Sequence, residues 1–298
     1  MWKLSTEVGA LRELTSEKRT IEILAKAGFD ALDYTFTPWM ERGEMEWNGN
    51  AYEKYAKEVN KITEDNGISF NQAHAPFIFN TSYLPDWNKE IIPLQIRCME
   101  ACALLGIPHM VVHPVHHLNY RFNKDTIWKL NEEYYHLLQP YAKQFGVKIA
   151  LENMFSEDSK RKSLVPDMFS DPREFNEFYD KLNDTENFIC LVDTGHSGIV
   201  GEDAGDTIRT MGRRVAALHL NDNMFANDGH LIPLHGLIDW DDVMKALAEI
   251  DYKGDFTFEA LHLWRGLDDD FYLTQAKYLH DVGRYLIRKF ETYKAALQ

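Results

Sequence analysis

The 298-residue chain carries 47 acidic against 32 basic side chains, a formal net charge of −15, and is 45% hydrophobic and 13% aromatic. That apolar content suffices for a large core, and no run of about 18 apolar residues offers a membrane span. A field of this sign repels DNA, whose binding draws most of its affinity from cationic contacts to phosphate, so no nucleic acid or membrane partner is expected. The opening MWKLSTEVGALREL lacks the long apolar core of a signal peptide. Cys98, Cys102 and Cys190 are too few and too badly spaced for a disulfide framework. They read as small buried hydrophobes in a reducing compartment, which places the chain in the cytoplasm.

Taken in order, one pattern recurs: a short apolar run, a polar loop, then a helical segment. Leu4–Val8 is the first strand candidate, followed by a helix from Ser16 to Ala27 that Gly28 closes. Ala31–Tyr34 precedes a helix over Tyr52–Asp65. Ile68–Ala73 ends at His74 and precedes a helix over Lys89–Leu105. His109–Val112 ends at His113 and precedes a long helix over Asp125–Phe145. Val147–Leu151 ends at Glu152, and Asp171 caps a helix to Leu182 with Pro172 at its favoured first position. Phe188–Val192 ends at Asp193, with a short helix over Ala204–Met211 beyond it. Val215–Leu218 ends at His219, and Asp239 or Asp241 opens a helix to Ile250. Phe256–Phe258 ends at Glu259, and Asp270–Phe290 is the closing helix, which either covers the fold or pairs with another chain as a homo-oligomer.

Eight strand-then-helix units imply an α/β protein with a parallel sheet, closed as a (β/α)8 TIM barrel in a single domain spanning 1–298. No Gly-x-Gly-x-x-Gly follows the first strand, against dinucleotide binding. In such a barrel the C-terminal strand ends share one mouth, where the chemistry resides. Read in order they give His74, His113, Glu152, Asp193, His219 and Glu259. Any one of these has a bland explanation, a hydrogen-bonded histidine or a helix cap; six in succession do not arise easily by accident. Glu152, Asp193, His219 and Glu259 set three carboxylates and one imidazole around a point, and three crowded negative charges call for a cation. Oxygen donors with one nitrogen suit Mn²⁺, Mg²⁺ or Co²⁺, with Zn²⁺ also admitted.

The motifs ALENM (150–154), VDTGHS (192–197), LHLNDN (218–223), DGHLIPLHGLIDW (228–240) and FEA (258–260), with QAHAPF (72–77) and VVHP (111–114) upstream, resemble the xylose isomerase-like TIM-barrel superfamily. That group holds sugar isomerases and epimerases, inosose dehydratase-type lyases and endonuclease IV. The resemblance to its D-tagatose 3-epimerase-like members implies one divalent metal on Glu152, Asp193, His219 and Glu259. It also implies that Glu152 and Glu259 move the proton on either face of a metal-stabilised enediolate, with His196 touching substrate oxygens. The substrate expected is then a small carbohydrate, free or phosphorylated. That epimerase type carries a substrate-binding Arg six residues beyond the metal His, where this chain has Phe225, so its substrate is held differently. Lys160, Arg161 and Lys162 after the fifth strand, and Arg265 after Glu259, offer anion contacts or are simply solvated. Tyr34, Phe36, Trp39, Phe77 and Trp264 either stack on a sugar or pack under the loops.

The resemblance equally covers endonuclease IV, whose three-zinc ligand pattern matches His74, His113, Glu152, Asp193, His196, His219, Asp228, His230 and Glu259. The alternatives are therefore a phosphodiester hydrolase with three Zn²⁺, or a non-catalytic metal-dependent sugar binder. The net charge and the acid-rich loop TPWMERGEMEWNGN (37–50) favour the isomerase or epimerase.

Overall fold

The computed structural model describes residues 2–36, 47, 51–76, 92–116 and 118–297. Eight parallel strands form the barrel wall: β1 (Leu4–Glu7), β2 (Ala31–Thr35), β3 (Ser69–His74), β4 (His109–Val111), β5 (Lys148–Glu152), β8 (Phe188–Asp193), β9 (Val215–His219) and β10 (Phe256–Phe258). Each pairs with the next in that order, and β10 pairs back with β1. Closure between β9 and β10 is lighter, a single parallel bridge from Leu220 to Phe258. There Leu220 N–H donates to Thr257 O at 2.8 Å and Glu259 N–H donates to Leu220 O at 3.2 Å.

The two faces of the wall differ. Outward side chains join the helices in one large core. Inside, Val111, Ala150, Ile189, Leu191 and Ala217 make a separate apolar plug, the layered filling of a packed barrel. On the opposite interior wall Ser5, Asn71 and Thr257 are polar and bonded to one another. This follows from a register slip: Leu32 pairs with Phe70 and Asp33 with Gln72, leaving Asn71 as an extra residue in β3. A bulge of this kind re-aims the side chains beyond it. Asn71 thus reaches Ser5, while Gln72 still reaches Asp33 and His219.

The helices lie close to expectation because their stop and start signals are chemical. Ser16 accepts a hydrogen bond from Arg19 N–H to start Glu17–Ala27, and Gly28 ends it at φ 107. Asp171 and Asp239 cap Pro172–Leu182 and Trp240–Glu249 in the same way. Tyr120–Phe145 begins five residues ahead of its expected start, across a break at Asn123, and the last helix, Tyr272–Ala296, runs six residues further. For the helix expected over Lys89–Leu105 the described part is Ile92–Leu105. Of the aromatic and loop expectations, Trp39, Phe77 and all of 37–50 except Trp47 lie outside the described residues.

Lys160, Arg161 and Lys162 sit at the turn of an antiparallel hairpin, β6 (Phe155–Asp158) with β7 (Ser163–Pro166), that follows the fifth strand. Asp158 Oδ1 accepts from the backbone N–H of Lys160 and Arg161, and Lys162 takes φ 53 to close the turn. The three charges are solvent-exposed there. Cys98, Cys102 and Cys190 are buried and free, as their spacing indicates. Among the described residues no helix is long and apolar enough to cross a membrane.

Candidate functional site

Strand alternation brings Glu152 (end of β5), Asp193 (end of β8) and His219 (end of β9) to the barrel interior, and Glu259 follows β10 by one residue. One donor atom from each lies within 4.8 Å of the other three, and all four side chains are buried. His219 Nδ1–H donates to Glu152 Oε1 at 2.6 Å and lies 3.6 Å from Glu259 Oε2. His113, two residues past the end of β4, donates from Nε2 to Glu152 Oε2 at 2.6 Å. Asp193 has two duties. Its Oδ1 accepts from His196 N–H at 2.7 Å, capping the helix Thr194–Ile199, and its Oδ2 accepts from Asn221 Nδ2 at 2.7 Å.

The remaining expected residues gather on two sides of this point. His74, at the end of β3, stacks on His219 with ring centres 4.4 Å apart and points Nε2 at Glu259 Oε1, 3.4 Å away. His196 donates from Nδ1 to Asn153 O. His230 takes the left-handed φ of 38, a strained backbone for a non-glycine residue. Its Nε2 bonds Asp228 Oδ2 at 2.8 Å and its Nδ1 donates to Glu259 O. These residues form two further donor groups of the same 4.8 Å compactness, His74 with His113 and Glu152, and His196 with Asp228 and His230, and Asp33 with His74 and His219 forms a third.

So many buried carboxylates stay charged only because imidazoles face them. Burial pushes the Glu152 carboxyl up, but His219 and His113 outweigh it and hold it well below the usual carboxylate range. Glu259 is likewise depressed, burial being overcome by His219, His230 and His74. Burial pulls His219 and His230 down, and the surrounding carboxylates, Glu152 first for His219 and Glu259 first for His230, raise both well above an ordinary imidazole. Asp193 goes the other way, up to about 7, from burial reinforced by Glu259 and Glu152 against the pull of His196.

Three groups escaped the reading of strand ends. Asp33 in β2 is fully buried against His74 and His219, and Gln72 bridges it to His219. The visible signal was an acid inside the apolar run Ala31–Tyr34. Glu7 ends β1, accepts from Gly9 and Ala10 N–H, and is raised to about 7 by burial and by Asp33. Beside it opens a cleft of about 320 Å³, lined also by Thr35, His262, Trp264 and Arg265. Arg265 thus faces a cavity next to the charged cluster. Tyr34 and Phe36, by contrast, are buried edge-to-face against Trp47. Phe225 lies over Gly198, 41% exposed.

The donor set fits a divalent cation. His74 Nε2, Glu259 Oε2 and Asp228 Oδ1 are buried with no hydrogen-bond partner among the described residues, and such orphaned atoms are costly unless a ligand engages them. Carboxylate-rich coordination with imidazole suits Mn²⁺, Mg²⁺, Co²⁺ or Zn²⁺.

The model of the xylose isomerase-like TIM barrel family matches residues 21–271. The chain is 22% identical over 294 residues to D-psicose 3-epimerase of Ruminiclostridium cellulolyticum, covering 91% of this chain and 92% of that one. It is 24% identical over 267 residues to an uncharacterised protein of Sinorhizobium fredii, covering 81% and 80%. A solved structure of D-psicose 3-epimerase with D-tagatose, from Clostridium cellulolyticum H10, superposes with a TM-score of 0.72 at 21% identity over 95% of this chain and 99% of the other.

Proposed function

The chain belongs to the xylose isomerase-like TIM-barrel family, and from that premise we propose that it is a divalent-metal-dependent sugar isomerase or epimerase, acting on a small carbohydrate. The observation that carries this is the buried convergence of Glu152, Asp193, His219 and Glu259 on one point, with the likeness to D-psicose 3-epimerase along most of the chain in support. When bound there, a divalent ion supplies the Lewis acidity that makes a C–H beside a carbonyl removable at neutral pH. Asp193 and His219 hold position. The two glutamates stand on either side of His219, so one takes a proton from one face of the sugar carbon and the other returns one to the opposite face. Glu259 Oε2 is buried and accepts no hydrogen bond from a described group, though His219 and His230 face it at 3.6 Å, and it is the oxygen available for that transfer. Glu152 Oε2 exchanges its proton beside His113 Nε2. The cleft by Glu7, His262 and Arg265 receives the rest of the substrate.

The test is incubation with candidate ketoses in D₂O, alongside metal analysis of protein purified without chelator. Deuterium at the carbon beside the carbonyl and one metal per chain are expected. A second reading rests on the two additional donor groups that include His113 and His196: a phosphodiester hydrolase holding three Zn²⁺. Three zinc ions per chain together with cleavage of an abasic-site duplex would replace the isomerase reading. Bound metal without exchange of any sugar would leave the non-catalytic binder.

A further inference from the structure

Asp33 adds a fourth carboxylate to an interior already crowded with Glu152, Asp193 and Glu259, and an unsupported buried charge of this kind costs several kcal/mol or more. Its partners show what sustains it. Both oxygens lie 3.2 Å from His74 Nδ1, Oδ2 accepts from Gln72 Nε2 at 2.9 Å, and the same oxygen lies 3.6 Å from His219 Nε2. It therefore stands behind both stacked imidazoles, on the side away from Glu152. His219 turns Nδ1 toward Glu152 and Glu259 and Nε2 toward Asp33 and Gln72.

Without an ion, Nδ1 carries a hydrogen and donates it to Glu152. A cation at the four-residue point needs the Nδ1 lone pair instead, so a neutral His219 must keep its hydrogen on Nε2. That hydrogen requires an acceptor: Asp33 Oδ2, 3.6 Å from Nε2 in the metal-free arrangement, would close on it as the Gln72 amide, whose Nε2 there donates to His219 Nε2 at 2.7 Å, turns that hydrogen away. The same logic keeps the hydrogen of His74 on Nδ1 and leaves Nε2 facing Glu259. Resting on the metal-site reading above, we propose that Asp33 is a positioning residue that fixes the metal-binding tautomer of His219 and the site-facing tautomer of His74. Carboxylate–imidazole–metal relays orient ligands generally, and breaking one weakens metal binding about 10–100-fold. The bulge at Asn71 belongs to the same device, because it brings Gln72 beside Asp33 to satisfy the oxygen that must remain charged.

The experiment is a Co²⁺ titration of chelator-stripped wild-type and Asp33→Asn protein, followed by the visible ligand-field band, with melting of the metal-free forms measured in parallel. Asp33→Asn should bind Co²⁺ about 10–100-fold more weakly with a shifted band, and Asp33→Glu should recover part of both. Equal affinity and an unchanged band in Asp33→Asn overturn the proposal. Should Asp33→Asn fail to fold, NMR of Zn²⁺-loaded wild-type protein with ¹⁵N-labelled histidine decides. A hydrogen on His219 Nε2 supports the assignment, and its absence overturns it. Wild-type protein that takes up no Co²⁺ overturns this inference together with the metal-site reading. Weakened Co²⁺ binding in a protein that exchanges no ketose leaves the role of Asp33 standing while the isomerase reading falls.

Discussion

Gly195 has no room for a side chain: an added Cβ would lie 2.0 Å from Asn221 Oδ1, and Asn221 is the donor that holds Asp193 Oδ2. Gly195→Ala is therefore expected to displace Asn221 and weaken metal binding by about tenfold or more, read by calorimetric titration. Glu259→Gln keeps the shape but removes the carboxylate; it should abolish ketose hydrogen exchange, and an active, metal-loaded Glu259→Gln enzyme would remove that residue from the acid–base pair. Residue-scale legibility was uneven for a physical reason. His74, Glu152, Asp193, His219 and Glu259 could be found because a polar group terminating an apolar strand is visible as a break in pattern. Asp33 and Gln72 lie inside strands, and Gln72 faces the site only because of a bulge that no local composition announces. Glu7, at the end of β1, is hidden because Val8 after it makes the strand pattern read on by one residue.

At the scale of elements, helix ends were readable because Ser16, Gly28, Asp171 and Asp239 act through their own hydrogen bonds or φ. The hairpin of β6 and β7 was not, since Phe155–Asp158 and Ser163–Pro166 are too polar and short to show a buried face. How the last helix meets the barrel was equally hidden. Gly283 lets Tyr272–Ala296 press onto β1 and β10: a Cβ there would sit 2.5 Å from Leu4 Cδ1 and 2.9 Å from Phe258 Cε2, both fully buried. Gly283→Val is expected to overpack this contact and cost about 1–3 kcal/mol, measured as a lowered urea midpoint with unchanged slope.

Across the whole molecule the metal-free site is neutralised by protons on imidazoles. The His74 pKa is raised to about 10: burial pulls it down, and Asp33 more than reverses this. A raised imidazole contributes stability that is complete below its unfolded value near 6.5 and is lost as pH climbs through 10. Asp193 and Glu7, raised to about 7, act in the same direction. Each is destabilising once ionised, a penalty that grows from about pH 4 and is full above 7. Chelator-treated protein should therefore melt at progressively lower temperature from pH 5 to pH 10. A bound cation replaces those protons, so the rise in melting temperature on adding Mn²⁺ or Co²⁺ should grow with pH over the same range, and binding should release protons. A melting temperature of the metal-free protein that does not fall above pH 7 would contradict this account.

Asp193 is a helix cap as well as a site carboxylate. Selection for folding alone would keep it. In a lineage that abandons the chemistry, Glu259, whose Oε2 accepts no hydrogen bond from a described group, is free to drift first and Asp193 last. Among diverged relatives of this chain the aspartate is then a marker of ancestry and the glutamate a marker of surviving activity.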